Sequence, residues 1–186
     1  MNVEIETKIK VESLNEIAVR LDALGAKLRR EVSQVDTYFD DAAETLFASD
    51  CGLRLRKQAD GGNQKVILTY KGPKQKSHFK SRTEIEIEVS DFEVAAQLLN
   101  ALDFKKSLAF EKRRRVWQMS DCVVCLDELP LLGNFVEIEA PTAQPITEAL
   151  RKLKLADMGH INESYAHLIR AKLNEIGSDK REAFFS

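Results

Sequence analysis

The sequence predicts an α+β fold: an eight-stranded antiparallel β-barrel, a tunnel with a polar interior, wrapped by helices. Three observations carry this expectation. Apolar residues recur with period two through most of the chain, which is the signature of strands rather than helices. The strands number eight and are joined by hairpins or short helices, a set that can close on itself and leave no open edge. Their charged faces are also sorted by sign: Glu4 with Glu6, Arg54 with Arg56, Lys112 with Arg114, and Glu137 with Glu139. Like charges two residues apart repel slightly, and a solvated face tends to mix signs, so sorted faces point to an enclosed interior.

Each element has its own signal. Val3–Val11 alternates without a break, apolar on one side and charged on the other. Ser13 caps the next helix, Glu16 completes a capping box, and Leu14, Ile17, Leu21 and Leu24 form a stripe that ends at Gly25. A second strand covers Lys27–Asp40. A polar, alanine-rich connection leads to a third at Gly52–Lys57, and Gly61-Gly62-Asn63 signals a hairpin into Lys65–Lys71, which Gly72-Pro73 ends. Lys74–Lys80 is basic and polar and reads as a mobile loop, either a lid for an anion or a solvated charge run. Arg82–Val89 is the cleanest alternation, and Asp91 then caps a helix with Val94, Leu98, Leu99 and Leu102 as its apolar residues. Strands follow at Lys105–Met119, Cys122–Leu129 and Asn134–Ala140, then amphipathic helices near Ile146–Leu155 and Glu163–Ile176. One domain is expected over 1–176, with a frayed tail at 177–186 in which Phe184 and Phe185 are the residues able to dock.

Composition narrows the function. At 186 residues and 44% hydrophobic content, the chain suits one domain with a real core. Charged residues make up 31%, yet the net charge is only -2, so the excess of cations that duplex nucleic acid requires is lacking. A small anion needs only a local cluster. No apolar run suits a membrane span, the start lacks a signal-peptide pattern, and three cysteines cannot all pair, so a cytoplasmic protein with no membrane partner is expected. Cys122 and Cys125 have redox spacing but lie in a strand, where residues three apart face opposite sides. The three histidines show no metal-ligand spacing.

If the charged faces turn inward, they form two walls. Lys8, Arg54, Arg56, Lys71, Arg82, Lys112 and Arg114 make a cationic wall, and arginine offers phosphate a bidentate fork. Glu4, Glu6, Asp127, Glu137 and Glu139 make an acidic wall suited to Mg²⁺ or Mn²⁺, hard ions that take carboxylate oxygens and bridge to phosphates. Together the walls suit a metal–polyphosphate complex.

Glu4-Ile5-Glu6-Thr7-Lys8 resembles the ExExK signature of the CYTH family, the triphosphate tunnel metalloenzymes. The resemblance continues in register through Tyr38-Phe39-Asp40, Leu53-Arg54-Leu55-Arg56, Thr69-Tyr70-Lys71-Gly72-Pro73, Arg82-Thr83-Glu84-Ile85-Glu86, Lys112-Arg113-Arg114, Leu126-Asp127-Glu128 and Gly133–Glu139. It implies a tunnel open at both ends that acts on a triphosphate with a divalent metal. It also implies that Glu4, Glu6, Asp127, Glu137 and Glu139 are metal ligands, and that Arg54, Arg56, Lys71, Arg82, Lys112 and Arg114 clamp phosphate. Lys8 would steer the nucleophile beside Glu4 and Glu6, with Glu84 and Glu86 supporting the basic side chains.

Two activities fit that site, hydrolysis of inorganic tripolyphosphate or an organic triphosphate, and cyclisation of ATP to cyclic AMP and pyrophosphate. The His-Phe pair that often precedes ExExK in the family's cyclases is absent here, since ExExK begins at Glu4 and His78-Phe79 lies far downstream. Hydrolase is therefore the first expectation, cyclase the second and a non-catalytic polyphosphate-binding module the third. Monomer and homodimer both remain open. Tyr165 reads as a helix residue packed on the barrel, with a tunnel-mouth position as the alternative. Asp40 and Glu128 read as supporting or solvated residues.

Overall fold

The structure, a computed structural model, describes residues 2–75 and 79–186, and side chains from residue 5 onward. Eight strands build the barrel: β1 (Asn2–Val11), β2 (Lys27–Asp40), β3 (Gly52–Asp60), β4 (Asn63–Lys71), β5 (Lys80–Val89), β6 (Lys105–Met119), β7 (Cys122–Leu129) and β8 (Gly133–Ala140). They run in the order β2-β3-β4-β5-β1-β8-β7-β6, and a β2–β6 pairing closes the circle. All of these neighbours are antiparallel. The β3–β4 turn has Gly61 and Gly62 at φ of +54° and +101°, a backbone that favours glycine at both positions.

Among the described residues five helices accompany the strands: α1 (Leu14–Ala23), α2 (Thr45–Ala48), α3 (Phe92–Ala101), α4 (Ala143–Lys152) and α5 (Tyr165–Glu175). The expected caps form. Ser13 accepts from the Glu16 amide at 3.3 Å and Asp91 from the Val94 amide at 2.8 Å. α1 and α4 cover the outer faces of β1, β7 and β8, where Ile9, Leu126, Val136 and Ile138 meet Ile17, Leu21, Ile146 and Leu150.

Several elements depart from the sequence reading. The connection after β2 contains α2, a single turn held by Asp40, whose carboxylate accepts from the Leu46 and Phe47 amides at 3.0 and 2.9 Å. Asp40 is thus a structural anchor for that turn. α3 meets the barrel through Phe92, Ala95, Ala96 and Leu99, and leaves Val94, Leu98 and Leu102 exposed. Alanine allows the closer approach, so of the expected stripe Leu99 is buried while Val94, Leu98 and Leu102 are not. On α1, Leu24 is likewise exposed. β5 begins at Lys80, so that residue belongs to a strand and not to a loop. The lid residues Lys76 and His78 lie outside the described residues.

The tail is not frayed throughout. Glu182–Ala183 forms β9, parallel to β6 at Ala109 and Phe110, a stretch of β6 beyond its ladder with β7. An open strand edge invites such pairing. Phe185 anchors the end, its amide donating to Glu111 at 3.0 Å and its ring lying 4.2 Å from the Arg113 guanidinium.

One end of the tunnel is closed, contrary to the expectation of two open ends. Phe110 pairs in register with the inward residue Asp36, and Phe135 with the inward residue Asp127. Both join Leu108 and Leu129 in an apolar cluster with Tyr165, Ile169 and Leu173 of α5. α5 therefore works as a stopper, and the charged interior begins where this cluster ends.

Candidate active site

Strand alternation and register bring the charged side chains together. On β1, Glu6 stands opposite Glu139 and Lys8 opposite Glu137. On β6, Arg114 stands opposite Asp127 of β7. β3 supplies Arg54 and Arg56, β4 supplies Lys71, and β5 supplies Lys80, Glu84 and Glu86. These surround a chamber of about 150 Å³ that Asp36, Tyr38, Ser164 and Tyr165 also line.

Glu6, Glu137 and Glu139 form the acidic side, with one carboxylate oxygen from each within 4.8 Å of the others. Glu137 is 3.2 Å from the Lys8 ammonium and also contacts Arg114, while Lys80 pairs with Glu6. Burial works against ionising Glu137, but Lys8 and Arg114 outweigh it and its pKa is well below the ordinary value. Glu139 moves the other way. Burial raises its pKa, Arg114 only partly offsets this, and the negative charges of Glu137 and Glu6 add to the rise. A group of carboxylates crowded enough to disfavour the charge on one of its members fits a divalent cation, which would relieve that repulsion.

Lys8 is fixed from several sides. Its ammonium donates to the Glu163 carbonyl at 2.9 Å and lies 4.1 Å from the centre of the Tyr165 ring. The Tyr165 hydroxyl donates to Asp127 at 2.9 Å. Asp127 is fully buried and also accepts from Arg114 at 2.7 and 2.6 Å. Its oxygens are engaged by Arg114 and Tyr165, apart from the acidic trio.

The cationic side is ordered by its own carboxylates. Asp36 grips Arg56 at 2.5 and 2.7 Å and lies 3.9 Å from Arg54. Burial disfavours the Asp36 charge, yet Arg56 and Arg54 outweigh it and hold the carboxyl below its usual range. Arg54 donates to Thr69 at 3.0 Å and lies 3.8 Å from Glu86, while its buried Nε has no partner among the described residues. Arg82 donates to the Asp50 carbonyl and carboxylate at 3.4 Å each, and its buried Nε is likewise unpartnered there. Lys71 pairs with Glu84. Lys112 is almost wholly buried, and burial together with Arg114 and Arg56 pushes its pKa down to about 8.

The structure thus gathers Glu6, Lys8, Arg54, Arg56, Lys71, Glu84, Glu86, Lys112, Arg114, Glu137 and Glu139 around one chamber. Asp127 lies behind Arg114, and Arg82 stands beside Asp50 toward the strand ends. The Glu4 side chain lies outside the described residues, though its backbone pairs with Arg82. Sequence reasoning missed Asp36 and Tyr38, and it placed Lys80 in a lid loop where the structure has it on β5 facing the chamber. Lys80-x-Arg82-x-Glu84 and Asp36-x-Tyr38 continue the inward alternation, so the period itself carried the signal. Tyr165 had no such signal, because a helix residue enters the site only through the way α5 docks.

A closed β-barrel lined by a carboxylate cluster and a facing set of arginines and lysines has the charge arrangement of a tunnel fold. The chain belongs to the CYTH domain family, whose model matches residues 2–167. It is 30% identical over 175 residues to the "Putative adenylate cyclase" of Methanocaldococcus jannaschii, covering 89% of this chain and 98% of that one. It is 29% identical over 140 residues to adenylate cyclase CyaB of Aeromonas hydrophila, covering 75% and 69%. Among solved structures, the PH1819 protein of Pyrococcus horikoshii superimposes with a TM-score of 0.78 at 30% identity, covering 91% of this chain and 99% of that one. Among the described residues, no helix is long and apolar enough to cross a membrane.

Proposed function

We propose that this protein hydrolyses a triphosphate with the help of Mg²⁺ or Mn²⁺ bound by Glu6, Glu137 and Glu139, with Glu4 as a further candidate ligand and Asp127 holding Arg114 and Tyr165 behind them. One observation carries the reading. A carboxylate trio and Lys8 face a set of buried guanidinium and ammonium groups across a chamber of phosphate dimensions. Arg54, Arg56, Lys71, Lys112 and Arg114 hold the phosphate oxygens, and the unpartnered Nε of Arg54 and Arg82 are donors that an anion would satisfy. Arg82 joins them from the strand ends. Glu84 and Glu86 keep Lys71 and Arg54 in place. The metal ion would supply neutralisation of phosphate charge and acidification of a water molecule. Lys8, locked by Glu163 and Tyr165, orients the attacking oxygen on the terminal phosphorus. The bond to the bridging oxygen breaks and a diphosphate leaves.

A second reading is adenylyl cyclisation, favoured by the cyclase names of the two relatives that are 29–30% identical. The same residues would then hold ATP while its ribose 3′-hydroxyl attacks the α-phosphorus and pyrophosphate leaves. The test is to incubate the protein with Mg²⁺ or Mn²⁺ and, separately, tripolyphosphate, thiamine triphosphate and ATP, and to resolve the products by chromatography. Orthophosphate without cyclic nucleotide supports the hydrolase. Cyclic AMP with pyrophosphate replaces it with the cyclase. Absence of turnover, with metal-dependent triphosphate binding intact in calorimetry, reduces the site to a binding module.

A further inference from the structure

Three cations among the described residues meet the acidic trio, and they are not held alike. Lys8 lies 3.2 Å from Glu137, and its ammonium also donates to the Glu163 carbonyl at 2.9 Å. Arg114 contacts Glu137 and lies 3.6 Å from Glu139, and two bonds of 2.7 and 2.6 Å tie it to Asp127 behind them. Lys80 is the third. Among the described residues its ammonium is bonded to Glu6 alone. Both side chains are largely buried, at 8% and 11% exposure. Burial disfavours the charge on Lys80, but Glu6 and Glu137 outweigh it and raise its pKa, so the group stays an ammonium ion.

The backbone at Lys80 is fixed. Lys80 stands opposite Glu6 in the β1–β5 ladder, and Ser81 forms a further bridge with Gln75. The neighbouring Phe79 is buried in the apolar cluster that α1 and α4 share, with its ring centre 5.9 Å from that of His160. What is left to move is a four-carbon stem with a compact charge at its tip. That side chain already lines the chamber with Arg54, Arg56 and Lys71.

Three carboxylates met by three cations are balanced in charge. A divalent cation held by the same carboxylates adds two positive charges to a buried site, which is costly unless a resident cation leaves. Lys8 and Arg114 are tied elsewhere, so Lys80 is the one able to go. A displaced ammonium in turn needs an anion, and phosphate oxygens are what the chamber is built to receive. We propose that Lys80 is a place-holder for the divalent cation: its ammonium neutralises Glu6 in the metal-free protein, gives way to the metal, and is passed to the triphosphate. This rests on the metal–triphosphate reading above and adds to it the residue that links the two ligands. Because both ligands favour the same displacement of Lys80, each strengthens the binding of the other.

The experiment is calorimetry on the wild type, Lys80→Met and Lys80→Gln (the glutamine keeps a donor for Glu6 without the charge). The probes are Mn²⁺ and imidotriphosphate, a triphosphate analogue whose bridging nitrogens resist hydrolysis. Mn²⁺ alone should bind either variant about tenfold tighter than the wild type, since no ammonium competes for Glu6. The analogue alone should bind all three proteins about equally, because Glu6 engages Lys80. With Mn²⁺ saturating, the analogue should bind the variants about tenfold more weakly than the wild type. Formation of the Mn²⁺ complex in solution is the same in every arm and cancels. Tighter Mn²⁺ binding with undiminished Mn²⁺-dependent analogue binding would make Lys80 a fixed counter-charge of Glu6. Unchanged Mn²⁺ binding would remove it from the metal site, and loss of analogue binding without Mn²⁺ would make it an ordinary phosphate clamp. Each of these overturns the inference and leaves the metal–triphosphate reading standing. If neither the wild type nor the variants bind Mn²⁺, that reading fails and the inference falls with it.

Discussion

The acidic and cationic sides of the chamber reach the same condition from opposite signs. Burial, with Glu137 and Glu6, raises the pKa of Glu139, and burial, with Arg114 and Arg56, lowers that of Lys112. On each side burial and like-charged neighbours disfavour the charged form of one group. Their outer supports differ. Behind the acids, α1 and α4 seal β1, β7 and β8, and Val124, Val136 and Ile138 are fully buried. Behind the cations on β3–β5, α3 leaves Ile85 and Ile87 at 50% and 54% exposure. Carboxylates that must converge within 4.8 Å need a rigid backing, whereas long arginine and lysine side chains can adjust to a ligand from a looser one.

The largest effect should follow from removing the residue that joins the two sides. Arg114 binds Asp127 twice, contacts Glu137 and lies 3.6 Å from Glu139. Arg114→Leu removes from Asp127, Glu137 and Glu139 the counter-charge that they all share. The expected loss is about 3–5 kcal/mol in denaturant unfolding. A loss below about 1 kcal/mol would mean that water already screens the acids, and the comparison between the two sides would fail.

The difference in backing can be measured directly. Ile138→Ala, under α4 at zero exposure, should cost about 2–5 kcal/mol through the cavity it leaves. Ile87→Ala, on the half-exposed face of β5, should stay within about 0.5 kcal/mol. Similar costs at the two positions would show that the barrel is supported alike all round.

The strands were legible because their period survives burial on both faces, apolar outside and charged inside. Glu6, Lys8, Arg54, Arg56, Glu137 and Glu139 could be placed from alternation and sorted sign alone. What alternation cannot express is docking. Tyr165 reaches Asp127 and Lys8 because α5 enters the barrel end, and Asp36 becomes a clamp because β3 brings Arg56 to it across the ladder. α3 misled because helical periodicity finds the larger apolar stripe, while alanines on the neighbouring face allowed the closer contact.

The subtlest consequence concerns Lys112, and it separates ligand binding from folding by sign. Its pKa falls from an ordinary value of 10.5 to about 8 in the folded chain. Between those values the unfolded state binds more protons than the folded one. This group therefore makes the free protein more stable as pH rises from about 8 toward 10.5, and less stable as pH falls back. Phosphate binding prefers the ammonium form, so affinity should move the other way and fall above about pH 8, by at most about tenfold per pH unit. Metal-free calorimetry with tripolyphosphate on wild type and Lys112→Gln checks this, since the difference between them cancels the ligand's own ionisation. The wild-type advantage should shrink as pH passes 8, while its stability relative to Lys112→Gln grows. An advantage that holds steady to pH 10 would mean that Lys112 stays charged, and that the cations crowd one another less than the acids do.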